Sequence, residues 1–514
     1  MSIAKAPSAD FSASRRRVLK LTAAAAVGIA SAPTMAAPIT SPIRKLDPNS
    51  PDPVDWTMRK AAAMLGDGQI SSIELTEAIL ARIQRINPDY NAFLTVTGDV
   101  ALVSARQADA NFAKGIRLSA MQGIPFGLKD NIDTGGIRTT VGMKQFFDRV
   151  PDTDATVAAR LKSGGAVLVG KNHLAEAATT VHHPIYGRAP KSPWRDGMWT
   201  GTSSSGSGVA VATGMCFGSL GTDTGGSIRL PAMSNGITGL KPTWERVSAA
   251  GIFPLVRMSD AVGPLTRDAW GAAAMMSVIA GEDDRDMITS IRPVPDYLAS
   301  LEAPLDAGNI RIGIDREFNT ANVTPDVLAS MSHVEEVLRE LGFTIVEFKM
   351  PDVSRFEFGK SKPTAHVAYS HRDIYPEQAA DYTEGFAKGL EAGRNADPLD
   401  MAAAELRRAG FKGEMARTMR ELDLILSPVA PRPTPNWNDV MSMMGSGTYG
   451  KFLPYLGYVN VAGLPSIAFP AGFSSEGTPL SAQLIGRPFG EDLLLNSVDA
   501  FQQVTDWHLH TAVI

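Results

Sequence analysis

The chain has one cysteine in 514 residues, Cys216, so it forms no intrachain disulfide and no cysteine-based metal set. Flanked by Met215 and Phe217 in a run of small and apolar residues, that thiol reads as a buried apolar side chain and not as a nucleophile. An excess of positive charge is also missing. The formal net charge is -5 and no basic stripe lies outside the N-terminus, which removes the electrostatic footprint of a nucleic-acid partner. No repeat of fixed period occurs, excluding a solenoid. The 47 glycines and 34 prolines are scattered, leaving no low-complexity linker. A Gly-x-Ser-x-Gly elbow is missing and the eight histidines show no evident partner, which argues against a Ser-His-Asp hydrolase.

The N-terminus carries Ser14-Arg15-Arg16-Arg17-Val18-Leu19-Lys20, the apolar run 21–30, and small residues at Thr34, Ala36 and Ala37. About ten apolar residues fall short of the roughly 20 that span a bilayer, so residues 1–36 read as a cleaved twin-arginine-type signal peptide and not a membrane anchor. Cleavage after Ala36 removes five basic and one acidic residue and takes the charge from -5 to -9. The expected location is periplasmic or secreted.

Residues 37–514 read as one large α/β domain with a mixed, mostly parallel sheet flanked by helices, because strand and helix patterns alternate. Ser71-Ser72-Ile73-Glu74 is a capping box opening a helix of about 14 residues that stops at Asn87-Pro88. Strands are expected at 92–96, 127–129, 166–169, 217–221, 310–314, 343–348, 422–427, 460–472 and 481–486, and helices at 100–113, 157–161, 207–215 and 325–341. Residues 356–420 read as a helical insert that shapes the substrate site, and 438–455 as an apolar loop. Gly165 to Lys171 imitates a phosphate-binding loop, but Asn172 replaces the magnesium-binding hydroxyl and the interior is β-branched. Adjacent His182 and His183 point to opposite faces of an extended chain and read as loop residues. No cofactor and no metal is expected.

Chemistry concentrates in 201–231, GTSSSGSGVAVATGMCFGSLGTDTGGSIRLP. The Gly225-Gly226-Ser227 turn can aim consecutive N–H groups at one point, as a developing oxyanion requires. Ser203 stands 24 residues before Ser227, and Lys129 closes the apolar segment 123–129 upstream. These motifs resemble the amidase signature family, as do Gly239-Leu240-Lys241-Pro242-Thr243, Val262-Gly263-Pro264, Ala462-Gly463-Leu464-Pro465 and Gln483-Leu484-Ile485-Gly486-Arg487-Pro488. The resemblance runs from about Ile73 to Leu494.

That resemblance implies an amidase hydrolysing a carboxamide to an acid plus ammonia or an amine. It implies Ser227 as nucleophile, Ser203 as the bridging serine after a cis peptide bond, and Lys129 as base. Burial favours a neutral lysine, the form that accepts a proton. The backbone of Thr224, Gly225, Gly226 and Ser227 is the expected oxyanion hole, with Asp223 and Arg229 holding the turn. Ser204, Ser205 and Ser207 read as turn and helix-capping groups. Thr202 and Ser205 replace glycines usual in the family, and Met233-Ser234-Asn235 also departs from it. The expected partner is a small-molecule or peptide amide; a homodimer is compatible with the chain, whose oligomeric state is unreadable.

Overall fold

The computed structural model describes residues 43–47, 49–354 and 364–514. The export signal therefore lies outside the described residues, as does 356–363 of the expected insert.

Thirteen strands occur among the described residues: β1 (Ile43–Lys45), β2 (Phe93–Val96), β3 (Pro125–Lys129), β4 (Val167–Asn172), β5 (Gly218–Asp223), β6 (Thr238–Lys241), β7 (Ala261–Thr266), β8 (Arg311–Ile314), β9 (Thr344–Glu347), β10 (Leu424–Pro428), β11 (Ser466–Phe473), β12 (Pro479–Gly486) and β13 (His510–Ala512). Eleven form one sheet in the order β2-β4-β3-β5-β7-β6-β11-β12-β10-β8-β9, while β1 and β13 pair separately. The sheet is mixed, as expected, but parallel pairing does not dominate it. Parallel contacts join β3 to β4 and β5, and β8 to β9 and β10. The other six pairings are antiparallel. Crossover helices generate parallel neighbours only towards the flanks; at the centre, β11 and β12 are joined by a tight turn with Ser474 N–H donating to the Thr478 carbonyl.

The middle strands β3, β4, β5, β6 and β7 are buried along their whole length. They are short of bulk where other backbone must approach: a Cβ on Gly221 of β5 would stand 2.7 Å from Ser204 Oγ and from Leu265 Cδ1. That vacancy lets the serine loop lie against β5. Helices Ser205–Ala212 and Arg229–Asn235 follow the two serine turns and are buried throughout, so both turns begin on rigid supports.

Several boundaries differ from expectation. The capping box at Ser71 is formed, with Glu74 N–H donating to Ser71 Oγ at 3.1 Å and Ser71 N–H to Glu74 Oε2 at 2.8 Å. Its helix runs through Pro88 to Tyr90, ending on Asn91 at φ 49°. Proline in the last turn costs only one hydrogen bond, and the left-handed Asn91 is what stops the helix. Residues 438–455 are not a loop: Asn436 caps a helix at Trp437–Gly445, and a 3-10 turn follows at Tyr449–Phe452. Residues Gly457–Ala462, expected in part as strand, are helical. The expected insert is helical where described, at Thr364–Ser370, Glu384–Arg394 and Pro398–Thr418. Its Tyr375, Tyr382 and Leu390 are buried with Val141, Met143 and Ala177 of the main body.

Candidate active site

Lys129 ends β3, and the parallel register with β5 pairs Leu128 with Leu220, so the lysine lies beside the C-terminal end of β5 that feeds the Gly225-Gly226-Ser227 turn. The Lys129 amine is fully buried. Its Nζ donates to Ser203 Oγ at 2.7 Å, to Thr222 Oγ1 at 2.7 Å and, weakly, to the Thr222 carbonyl at 3.4 Å. Burial drives its pKa down to about 7, against the pull of Asp260 and Asp223. The Thr202-Ser203 peptide bond is cis. Ser203 has no exposed surface, whereas Ser227 and Thr224 are half-buried, the two partly open positions of the segment 221–231.

The Gly225-Gly226-Ser227 turn is built around the Asp223 carboxylate. It accepts Gly226 N–H at 2.7 Å, Ile228 N–H at 3.1 Å and Arg229 N–H at 3.4 Å. The Arg229 guanidinium adds two bonds of 3.1 Å, and neither side chain has exposed area. Desolvation opposes the Asp223 charge, but Arg229 overcomes it and holds the carboxyl well below the usual carboxylate range. Gly226 N–H is thus taken up by Asp223, whereas the N–H groups of Thr224, Gly225 and Ser227 have no acceptor among the described residues.

Two supports of this turn were not singled out by sequence reasoning. Asn460 Nδ2 donates to the Asp223 carbonyl and to Asp223 Oδ1, both at 2.9 Å, while Asn460 Oδ1 accepts Arg229 Nη2 at 2.7 Å. Gln483 Oε1 accepts Arg229 Nη1 at 3.2 Å, and its amide donates to Ser427, Pro428 and Tyr455. Both residues lie in or beside the C-terminal motifs, which was the available signal. Thr222 was missed as well, although strand alternation from Leu220 carries it to one face together with Thr224.

Ser204, Ser205 and Ser207 act as staples and do not cap the helix. Ser204 Oγ donates to the Thr222 carbonyl and accepts Thr222 N–H, each at 3.3 Å. Ser207 Oγ reaches the Leu220 carbonyl at 3.4 Å. Ser205 Oγ meets His182 Nε2 at 2.7 Å, and burial holds that histidine neutral, well below its ordinary pKa. His183 turns away, accepting Ile185 N–H, and no group of three metal-binding side chains occurs among the described residues. The positions that depart from the family pattern thus carry extra ties: Ser205 to His182, Thr202 Oγ1 to Tyr449 Oη at 3.5 Å, and Asn235 Nδ2 to the Thr200 carbonyl at 2.9 Å.

Lys171 of the false phosphate loop is buried in β4, bonded to the Ile132 carbonyl and Thr139 Oγ1 and 3.6 Å from Asp130. It offers a phosphate nothing. A small, partly open space of about 10 Å³, near one water in size, adjoins the site between Asn131, Thr222, Thr224, Phe253, Leu255 and Asp260.

Lys129 and Ser203 are thus hydrogen-bonded in the buried centre of a large mixed α/β fold, and the half-buried Ser227 lies on the adjoining turn, where its carbonyl accepts Ser204 N–H at 3.3 Å. The chain belongs to the amidase family: the model described as Amidase matches residues 74–495. A protein of Mycobacterium tuberculosis assigned as amidase AmiD is 38% identical, across 88% of this chain and 94% of that protein. A glutamyl-tRNA(Gln) amidotransferase subunit of Methylococcus capsulatus is 36% identical, across 88% of this chain and 98% of that one. The native peptide amidase of Stenotrophomonas maltophilia superposes with a TM-score of 0.73 at 27% identity, covering 87% of this chain and 96% of that one. The protein is an amidase-family enzyme, a hydrolase acting on C–N bonds.

Proposed function

We propose that the protein is an exported amidase that cleaves a carboxamide through an acyl-enzyme on Ser227. The observation that carries this reading is the 2.7 Å bond from the buried Lys129 amine to Ser203 Oγ. With a pKa near 7, about half of Lys129 is neutral at pH 7 and able to accept the Ser203 proton. Ser203 in turn takes the proton of Ser227 as Ser227 Oγ attacks the amide carbon. The carbonyl π pair moves to oxygen, and the N–H groups of Thr224, Gly225 and Ser227 stabilise it, at about 3 kcal/mol per donor. When the pair returns, the C–N bond breaks and the proton held on Lys129 passes through Ser203 to the departing nitrogen. Water then repeats the sequence on the ester and releases the acid.

The helical segment 364–418 packs beside Phe253, through His371 at a ring distance of 5.2 Å, and shapes the substrate site in this reading. The twin-arginine motif favours a periplasmic or secreted hydrolase over a component of a tRNA-dependent amidotransferase, although such proteins match this chain at similar identity.

The test is ammonia or amine release by the mature chain over peptide amides, anilides and short aliphatic amides, beside a Ser227→Ala control. Release that survives in the control overturns the Ser227 assignment. No release from any amide, together with no labelling by a serine-directed fluorophosphonate, overturns the acyl-enzyme reading itself.

A further inference from the structure

We propose that Asp260 is a positioning residue for this chemistry, pinning the Thr224 end of the nucleophile turn while setting a buried negative charge against Lys129. The inference rests on the acyl-enzyme reading above. Asp260 immediately precedes β7 and is 6% exposed. Its Oδ1 accepts the Thr224 hydroxyl at 2.5 Å; Leu255 N–H donates to Oδ2 at 3.0 Å, and Val256 N–H is shared between both oxygens at 3.1 Å. Every one of these partners is a donor. Burial raises the Asp260 pKa, while these donors pull it back towards the charged form.

The same loop also holds Asn131, close to the lysine in the chain. Asn131, two residues after Lys129, accepts Phe253 N–H at 3.0 Å through its carbonyl, while its amide reaches Thr222 Oγ1 at 3.4 Å. Asn131, turn 222–224 and loop 253–260 therefore meet around the small, partly open space beside the site.

The charges facing Lys129 come from two of these pieces. Asp223, from β5, is neutralised at contact distance by Arg229, itself buried. Asp260, from the loop, feels Arg257, and that guanidinium is engaged with Asp286 at 2.5 Å. Asp130 follows Lys129 in the chain but turns away, to Thr140 and Lys171. Asp260 is thus the less compensated anion, and its field raises the proton affinity that burial lowers. Replacing it with a neutral group favours neutral Lys129 at lower pH. Cutting only its link to Thr224 leaves that field in place and loosens a proposed oxyanion donor.

The experiment measures the second-order rate of labelling by a fluorophosphonate against pH, which needs no knowledge of the natural amide. Wild type, Asp260→Asn, Asp260→Glu and Thr224→Val are compared, with Ser227→Ala as blank and circular dichroism to verify folding. Asp260→Asn moves the acid limb down by roughly half a unit or more, and Asp260→Glu returns it towards wild type. Thr224→Val slows labelling roughly tenfold or more with the limb unmoved. A folded Asp260→Asn whose limb superposes on wild type overturns the electrostatic part, and a Thr224→Val labelled at the wild-type rate overturns the clamp. If Asp260→Asn does not fold, the limb of Asp260→Glu and the rate of Thr224→Val decide: wild-type behaviour in Thr224→Val overturns the proposal. A wild-type chain that is not labelled, or a blank labelled equally, refutes the acyl-enzyme reading and is thereby told apart from these outcomes.

Discussion

Replacing Lys129 with Met should destroy activity and stabilise the fold, a combination that an ordinary structural lysine does not give. The folded pKa of about 7 lies below the ordinary 10.5. Between those values the unfolded chain binds more protons than the native one, so wild-type stability rises with pH across that window and sits at its floor at and below pH 7. At pH 7 the penalty for burying this amine is about 4 kcal/mol. Methionine removes it and fills similar space. Against that gain stand the two 2.7 Å bonds to Ser203 and Thr222, at about 1 kcal/mol each. The net is a gain of about 2 kcal/mol at pH 7, or roughly 2 °C in Tm for a domain of this size. The advantage fades towards pH 10, where the wild-type penalty has largely gone. Activity moves the other way: losing a general base costs roughly 10² to 10⁴ in kcat/KM. Wild-type kcat/KM should climb through a pKa near 7 and level off above it. Differential scanning calorimetry at several pH values, beside amide turnover, checks both arms. A Lys129→Met chain that keeps more than about a tenth of wild-type turnover, or that melts below wild type at every pH, refutes the reasoning.

Other substitutions probe the supports. Asp223→Asn leaves Arg229 buried without its counter-charge and turns one of the two oxygens that accept backbone N–H groups into a donor, so it should cost about 3–5 kcal/mol in urea unfolding; an unchanged midpoint would contradict this. Gly226→Ala should abolish turnover and lower the unfolding midpoint, because φ is +124° there and the new methyl meets Leu456 Cδ1 at 2.7 Å; adding Leu456→Ala should recover only part of the loss, since the backbone strain remains. Cys216 is buried and its thiol is pushed up to about 12 by desolvation, so Ellman's reagent should leave the native chain unmodified and titrate one thiol in guanidinium; rapid native labelling would show that the β5 approach opens readily.

What could be read from residue order alone depended on how local the cause was. The capping box at Ser71 and the buried strand ending at Lys129 follow from neighbours within a few positions, and both are found where expected. The error at Pro88 was also local: a proline signals a helix end, but Asn91 supplies the actual stop three residues later. Sheet polarity is different in kind. Whether β7 runs against β5 is decided by which strands 238–266 and 466–486 insert into the centre, and strand alternation says nothing about that. The active site divides along the same line. Lys129, Ser203 and Ser227 stand out because their surroundings in sequence are unusual for their chemistry. Asn460 and Gln483 do not, since an amide side chain 231 or 254 residues from Arg229 has no local trait that betrays its partner. Placing β11 next to β6, with β12 on its other side, carries Gln483 of β12 and Asn460, just before β11, to Arg229 at this turn. The late motifs around residues 460 and 483 are thus explained by the same contact: the turn that carries Ser227 is completed by these C-terminal segments, so a truncation before β11 removes the Gln483 acceptor from Arg229 even though Lys129, Ser203 and Ser227 are all still present.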